Sequence, residues 1–158
     1  MPPYPKLPPR LDLIYFRHPV FFVTICTHRR RRLLANAPLH ETFVAFAERA
    51  YAAHNIAVGR YVIMPDHLHL FVCGDQKFAL GRWIGMLKQF LAKTLDRAGA
   101  SNACEPVWQR GFFDHLLRSD ESYAQKWQYV WDNPVRAGLV DEAEDWQYAG
   151  EIILIDRA

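Results

Sequence analysis

Cysteine is scarce in this chain: Cys26, Cys73 and Cys104 are the three among 158 residues, far apart and with no Cys-x-x-Cys pair. An odd, scattered set supports neither a disulfide framework nor a cysteine zinc site, and it fits a reducing cytoplasm. Long apolar runs are also missing. None approaches the ~20 residues that a membrane-spanning helix requires, and the first ten residues carry five prolines where an export signal would be apolar. A soluble cytoplasmic protein with no membrane partner is expected. No internal repeat interrupts the chain. Acidic residues are nearly absent from its front: residues 1–35 hold seven lysines and arginines against Asp12 alone, a net +6, while the other 123 residues carry −4 to leave +2 overall. Attraction for polyanions is therefore concentrated at one end.

With 158 residues, 51% of them hydrophobic, the chain is long enough for one domain with a proper core. The prolines make residues 1–14 an extended basic arm ending the region around Arg10. Residues 15–140 read as the folded domain, and 141–158 as an acidic tail packing on or beside it. Phe21 to Thr27 is β-branched and aromatic, hence a strand. Leu39, Phe43, Phe46, Ala47 and Ala50 keep helical spacing over about Leu39 to Ala53. Ile56–Met64 and His67–Cys73 read as a hairpin around Met64-Pro65-Asp66. Leu80, Ile84, Leu87, Leu91 and Leu95 mark a second helix ending near Gly99. Val107–Leu117 reads as a fourth strand bent at Gly111. Asp120 is placed to cap a third helix, which Pro134 stops. The order β-α-β-β-α-β-α predicts an α+β fold: a ferredoxin-like antiparallel sheet of four to five strands, two helices on one face and a C-terminal tyrosine-bearing helix near the other.

Strand alternation gives the chain its chemistry. In the third strand Leu68, Leu70 and Val72 point one way, so His67, His69 and Phe71 point the other, onto the face that the first two helices leave open. Two imidazoles side by side are half of a metal site, and equally two ordinary polar residues on a solvated face. On the third helix Tyr123, Trp127 and Val130 form an apolar seam. Tyr129 falls outside it, on a stripe with Ser122, Lys126 and Asn133. A phenol with a pKa near 10 is a weak nucleophile, so phosphodiester cleavage by tyrosine calls for a cation to draw charge from the phosphoryl oxygens. Two imidazoles and a carboxamide leave positions open on a divalent ion. The hard phosphate favours Mg²⁺ and the imidazoles favour Mn²⁺. Asp132 competes with Asn133 as third ligand from a less favourable side.

Three segments together resemble one family: Met64-Pro-Asp-His-Leu-His-Leu70, Trp108-Gln-Arg-Gly-Phe-Phe-Asp-His115 and Tyr129-Val-Trp-Asp-Asn-Pro-Val-Arg-Ala-Gly-Leu-Val140. The chain is similar to the REP-associated tyrosine transposases, members of the HUH single-strand transposases, over roughly Tyr15 to Val140. The resemblance implies that His67, His69 and Asn133 bind a divalent metal and that Tyr129 attacks single-stranded DNA beside a repeat hairpin to form a 5′-phosphotyrosine. Related insertion-sequence transposases carry glutamine at the position of Asn133, whereas the REP-associated branch uses asparagine. The same branch implies a monomer, although related insertion-sequence enzymes form homodimers.

Around this centre, Asp66, Asp114 and His115 are candidates to orient ligands or touch DNA. Arg10, Arg29, Arg30, Arg31, Arg32, Lys88 and Lys93 are candidates for DNA backbone contacts. A hairpin-binding protein that does not cut would explain the arginines but leaves Tyr129 and Asn133 without a purpose. A metal-dependent phosphoesterase that activates water would have no need of Tyr129.

Overall fold

The structure, a computed structural model, describes residues 20–100, 104–117 and 120–155; the arm with Arg10 lies outside them, and the side chains of residues 120–122 are not described. Among the described residues five strands and four α-helices follow in the order β1 (Val20–Cys26), α1 (Ala37–His54), β2 (Ala57–Ile63), β3 (His67–Cys73), α2 (Leu80–Arg97), β4 (Phe113–Leu117), α3 (Asp120–Trp131), α4 (Asn133–Arg136) and β5 (Ala149–Glu151). The sheet runs β4-β1-β3-β2-β5 with every neighbouring pair antiparallel. The α+β, ferredoxin-like reading of the sequence is borne out, with five strands. Among the described residues no helix is long and apolar enough to cross a membrane.

Alternation along β3 divides two cores. Leu68, Leu70 and Val72 join Val23 and Ile25 of β1 under α1 and α2, whose Phe43, Phe46, Leu87 and Leu91 complete that layer. The opposite side of the sheet buries Phe71, Val62 and Cys73 against Tyr123, Trp127 and Val130 of α3. The apolar seam anticipated on the third helix is the one that packs. Phe71 stands 4.7 Å from the Tyr123 ring and 6.3 Å from Trp127. Arg60, 3% exposed, slides between β2 and α3; its guanidinium lies 5.2 and 5.3 Å from the Tyr123 and Trp127 rings and reaches Glu151 of β5 at 3.2 Å.

Local signals explain the element ends. Asn36 caps α1 by accepting the Leu39 amide at 3.0 Å, Pro38 sits in its first turn, and Asn55 leaves it in the left-handed region. Two expectations need correction. The fourth strand begins at Phe113 and not at Val107. Residues 108–111 meet β1 through a lone Thr27–Trp108 bridge, then turn under α2 because Gly111 adopts a φ of +77° and Lys88 donates to the Gln109 and Gly111 carbonyls at 3.1 and 2.5 Å. Nor does Pro134 end the helical path. After a break at Asp132 the chain makes one more turn, α4, with Pro134 in its first turn, where a missing N–H costs nothing.

The segment after Val140 turns back along the sheet. Trp146 donates to the Ile63 carbonyl at 2.9 Å, and Ala149–Glu151 pairs with β2.

Phe71→Ala removes the ring on which α3 rests. The expected loss is about 3–5 kcal/mol of unfolding free energy, read by urea denaturation.

Candidate active site

His67 opens β3 directly after Asp66, and β3 pairs with β1 so that Cys26 lies opposite His67 and Thr24 opposite His69. The two imidazoles stand side by side with ring centroids 4.7 Å apart at 80°. His67 is held at both nitrogens. Its Nδ1 lies 2.7 Å from Asp66 Oδ1, and its Nε2 lies 3.4 Å from the Asn133 carboxamide. Donation from Nδ1–H to the carboxylate leaves the Nε2 lone pair directed at Asn133, the tautomer that a metal ligand needs. His69 Nδ1 meets the Thr24 hydroxyl at 2.8 Å, and its ring stacks on Phe22 at 5.4 Å and 20°.

Burial sets the charge of these groups. It lowers the pKa of His67, partly opposed by the hydrogen bond to Asp66. It pushes His69 down to about 3, helped by the positive charges of His67, Lys126, Arg30 and Arg136. Burial alone would raise the Asp66 carboxyl, but hydrogen bonds from Arg30 and His67 hold it below its ordinary value. Two neutral imidazoles beside one ionised carboxylate result. Among the described residues no three His, Cys, Asp or Glu side chains converge. A divalent ion held by the two imidazoles would take a third protein donor from the Asn133 carboxamide, whose oxygen a half-turn about Cβ–Cγ would present in place of the amide nitrogen. The donor set fits a divalent ion. These three donors are uncharged, so an ion held by them would keep its full charge for a phosphate.

The structure gathers His67, His69, Asn133 and Asp66, and it separates the other candidates. Asp132 receives Gln128 at 3.4 Å, while the side chain facing His67 is that of Asn133. Tyr129 is 63% exposed near the end of α3 and lines a cavity of about 350 Å³ with His115, Leu117, Gln125 and Lys126. A second cavity, about 440 Å³, adjoins His67 and Asn133 and is bordered by Arg30, Arg32 and Asp66. Lys126 lines the first of these, and its ammonium lies 5.2 Å over the Phe22 ring that stacks on His69.

His115 shares the histidine face through its pairing with Phe22, whereas Asp114, opposite Val23, belongs to the other face. The arginine run divides as well. Arg29 bonds Glu105 at 3.0 Å; Arg31 bonds the Pro106 carbonyl and lies 3.6 Å from Glu105. Arg30 bonds Asp66 at 2.9 Å and approaches His67 Nδ1 at 3.3 Å. Arg32 is exposed, with no hydrogen bond or ion pair among the described residues. Lys88 is occupied by the 109–111 turn, and Lys93 lies on α2, across the sheet from the histidines.

Thr24 and Arg136 escaped the sequence reading, and Arg30 was read in another role. Thr24 is visible only once the β1–β3 register is known. Arg30 was legible as charge, not as the partner of Asp66; its φ of +53°, next to +57° at Arg29, turns it inward. Arg136 stands seven residues after Tyr129, two turns along the same face. Its guanidinium lies 4.1 Å from the Tyr129 ring centroid.

Residues 18–133, well over half of the chain, match the sequence model of the IS200-like transposases. The chain belongs to that family. Two curated relatives narrow the likeness. This IS200-like transposase is 28% identical, over 82% of its length and 78% of the relative's, to a Haemophilus influenzae protein provisionally named a REP-associated tyrosine transposase. It is 29% identical to the REP-associated tyrosine transposase of Escherichia coli K12, over 58% of its length and 52% of the relative's. The fold matches a solved REP-associated tyrosine transposase bound to a REP hairpin with a TM-score of 0.65, at 19% identity over 94% of this chain and 82% of that one. The resemblance carried by the three sequence motifs is borne out.

Acid should unfold the metal-free transposase in a defined window. Folding holds His69 at about 3, below its ordinary 6.5, so the unfolded chain binds more protons between those values and stability falls as pH falls from about 6.5 towards 3. Urea unfolding between pH 7 and 4 should show this slope, and His69→Gln should flatten it.

Proposed function

We propose that this IS200-like transposase is a divalent-metal-dependent endonuclease and strand transferase of the HUH type. It acts on single-stranded DNA beside a repeat hairpin, through a 5′-phosphotyrosine on Tyr129. The observation that carries the reading is His67 held between Asp66 at Nδ1 and Asn133 at Nε2, beside the helix that presents an exposed tyrosine. The solved relative bound to a REP hairpin supports the choice of hairpin DNA as substrate. A buried histidine pair on a structural face would not require a carboxamide from a separate helix at its free nitrogen.

His67, His69 and Asn133 would hold Mg²⁺ or Mn²⁺, which when bound supplies a Lewis acid for the phosphoryl oxygens. Asp66 keeps His67 in the tautomer that offers Nε2, and Arg30 keeps Asp66 in place. Lys126, which lines the same cavity as Tyr129, adds positive charge on the approach to the phenol. The Tyr129 oxygen gives up its phenol proton to solvent and attacks the scissile phosphorus, the bond from phosphorus to the 3′ oxygen breaks, and that oxygen takes up one proton from solvent to leave as a 3′-hydroxyl. The new tyrosyl phosphodiester keeps the energy of the broken bond. Attack by a 3′-hydroxyl on this linkage reverses the chemistry and rejoins DNA without an external energy source. Asn133 meets His67 within one chain, which supports a monomer as the working unit.

Incubation with hairpin oligonucleotides bearing single-stranded flanks, in Mg²⁺ or Mn²⁺, should give a protein–DNA adduct that survives denaturation. Tyr129→Phe and His67→Ala should each abolish the adduct and leave hairpin binding intact. Binding without adduct in either metal would favour a hairpin-binding protein, and cleavage that persists in Tyr129→Phe would favour a water-activating phosphoesterase. Asp66→Asn should weaken metal binding about 10–100-fold, measured by calorimetry.

A further inference from the structure

Tyr129 is the member of the site that the cores leave unpacked. Its side chain is 63% exposed, outside the seam of Tyr123, Trp127 and Val130 that anchors α3. An exposed tyrosine exchanges among staggered rotamers, and an attacking oxygen that wanders forfeits the rate advantage of proximity. Among the described residues, side-chain hydrogen bonds and ring contacts to Tyr129 come from Arg136. The guanidinium carbon lies 4.1 Å from the ring centroid, and Nη2 donates to the Tyr129 carbonyl at 2.5 Å. A planar guanidinium can face an aromatic ring while an N–H on its edge holds a carbonyl, and an ammonium cannot match both contacts.

Arg136 ends α4, and Asn133 begins it. The turn is tied internally: the Arg136 amide donates to the Asp132 carbonyl at 3.0 Å and the Ala137 amide to the Asn133 carbonyl at 3.0 Å, with Pro134 buried beneath. The first residue of this turn faces His67, and its last covers the tyrosine ring. We infer that Arg136 is a positioning residue that holds the Tyr129 ring, and that α4 couples the aim of Tyr129 to the seating of Asn133 beside His67. The kinetic part of this inference rests on Tyr129 being the nucleophile; the contact itself does not.

A surface arginine has a competing occupation, pairing with a DNA phosphate. The two are separable with 3-fluorotyrosine placed at position 129 of the full chain, and with Arg136→Ala and Arg136→Lys compared by thermal melting to verify folding. Without DNA, the ¹⁹F resonance should move in both variants, because neither retains a stacked guanidinium. With saturating hairpin oligonucleotide and Mn²⁺, single-turnover adduct formation should slow roughly 10–100-fold in Arg136→Ala, with hairpin affinity retained. Arg136→Lys should keep the affinity and stay slow. An unmoved ¹⁹F resonance in Arg136→Ala would overturn the inference. A loss confined to hairpin affinity, with the saturated rate intact, would also overturn it and make Arg136 a phosphate contact. If the unaltered protein binds hairpin yet forms no adduct in either metal, the nucleophile reading fails, and the ¹⁹F comparison still decides whether Arg136 holds the ring.

Discussion

The antiparallel register of β3 between β1 and β2 carries the site, because one alternating row of residues serves both faces of the sheet. Leu68, Leu70 and Val72 are buried under α1 and α2, which forces His67, His69 and Phe71 to the other side. A slip of one residue would send both imidazoles into an apolar layer and three aliphatic side chains to the open face. Burial of the aliphatic row thus fixes where the two imidazoles stand. The tight connection through Met64 and Asp66 adds a second pin, with the Met64 amide on the His67 carbonyl at 2.8 Å. Phe71 continues the histidine row and supplies the surface on which α3 sits, so the strand that presents the imidazoles also supports the helix that leads to Asn133.

Charge is arranged around that row in a consistent sense. The histidines are kept neutral by burial and by the cations Arg30 and Lys126, and the one carboxylate in contact with them is held ionised by Arg30. Arg30 reaches this position from a left-handed backbone, a conformation that costs an ordinary residue about 1–2 kcal/mol. Its neighbour Arg29, equally strained, is tied to Glu105. The arginine run that looks in the sequence like a ribbon for phosphates is largely occupied by the protein's own carboxylates and carbonyls, and Arg32 alone of the four faces outward without such a partner among the described residues.

Periodicity made much of this legible before any fold was known. Alternation placed His67 and His69 on one face; the 3.6-residue period put Tyr123, Trp127 and Val130 inward and Tyr129 outward. Both follow from local geometry that tertiary contacts had no reason to override. What stayed hidden depended on long-range pairing or on backbone outliers. Thr24 becomes a neighbour of His69 only through strand register. The loss of strand from Val107 to Phe112 follows from Lys88 on another element gripping the turn. The spacing from Tyr129 already ranked Asn133 over Asp132, and the contact of Asn133 with His67 agrees, whereas the break at Asp132 was not legible. Strand β5 is three residues long and too short to declare itself in sequence.

The pairing of β2 with β5 spans 91 residues at Arg60 and Glu151, and the meeting of His67 with Asn133 spans 66. The hairpin that displays the histidines joins neighbours in sequence, whereas α3, α4 and β5 close onto it from far along the chain. During synthesis the strands β1, β2 and β3 and helix α1 leave the ribosome first, and loop closure with the later segments is the slow part of such a topology. The strand that carries His67 and His69 is therefore synthesised before Tyr129 exists, and a nascent or truncated transposase has its paired imidazoles long before it has the exposed phenol.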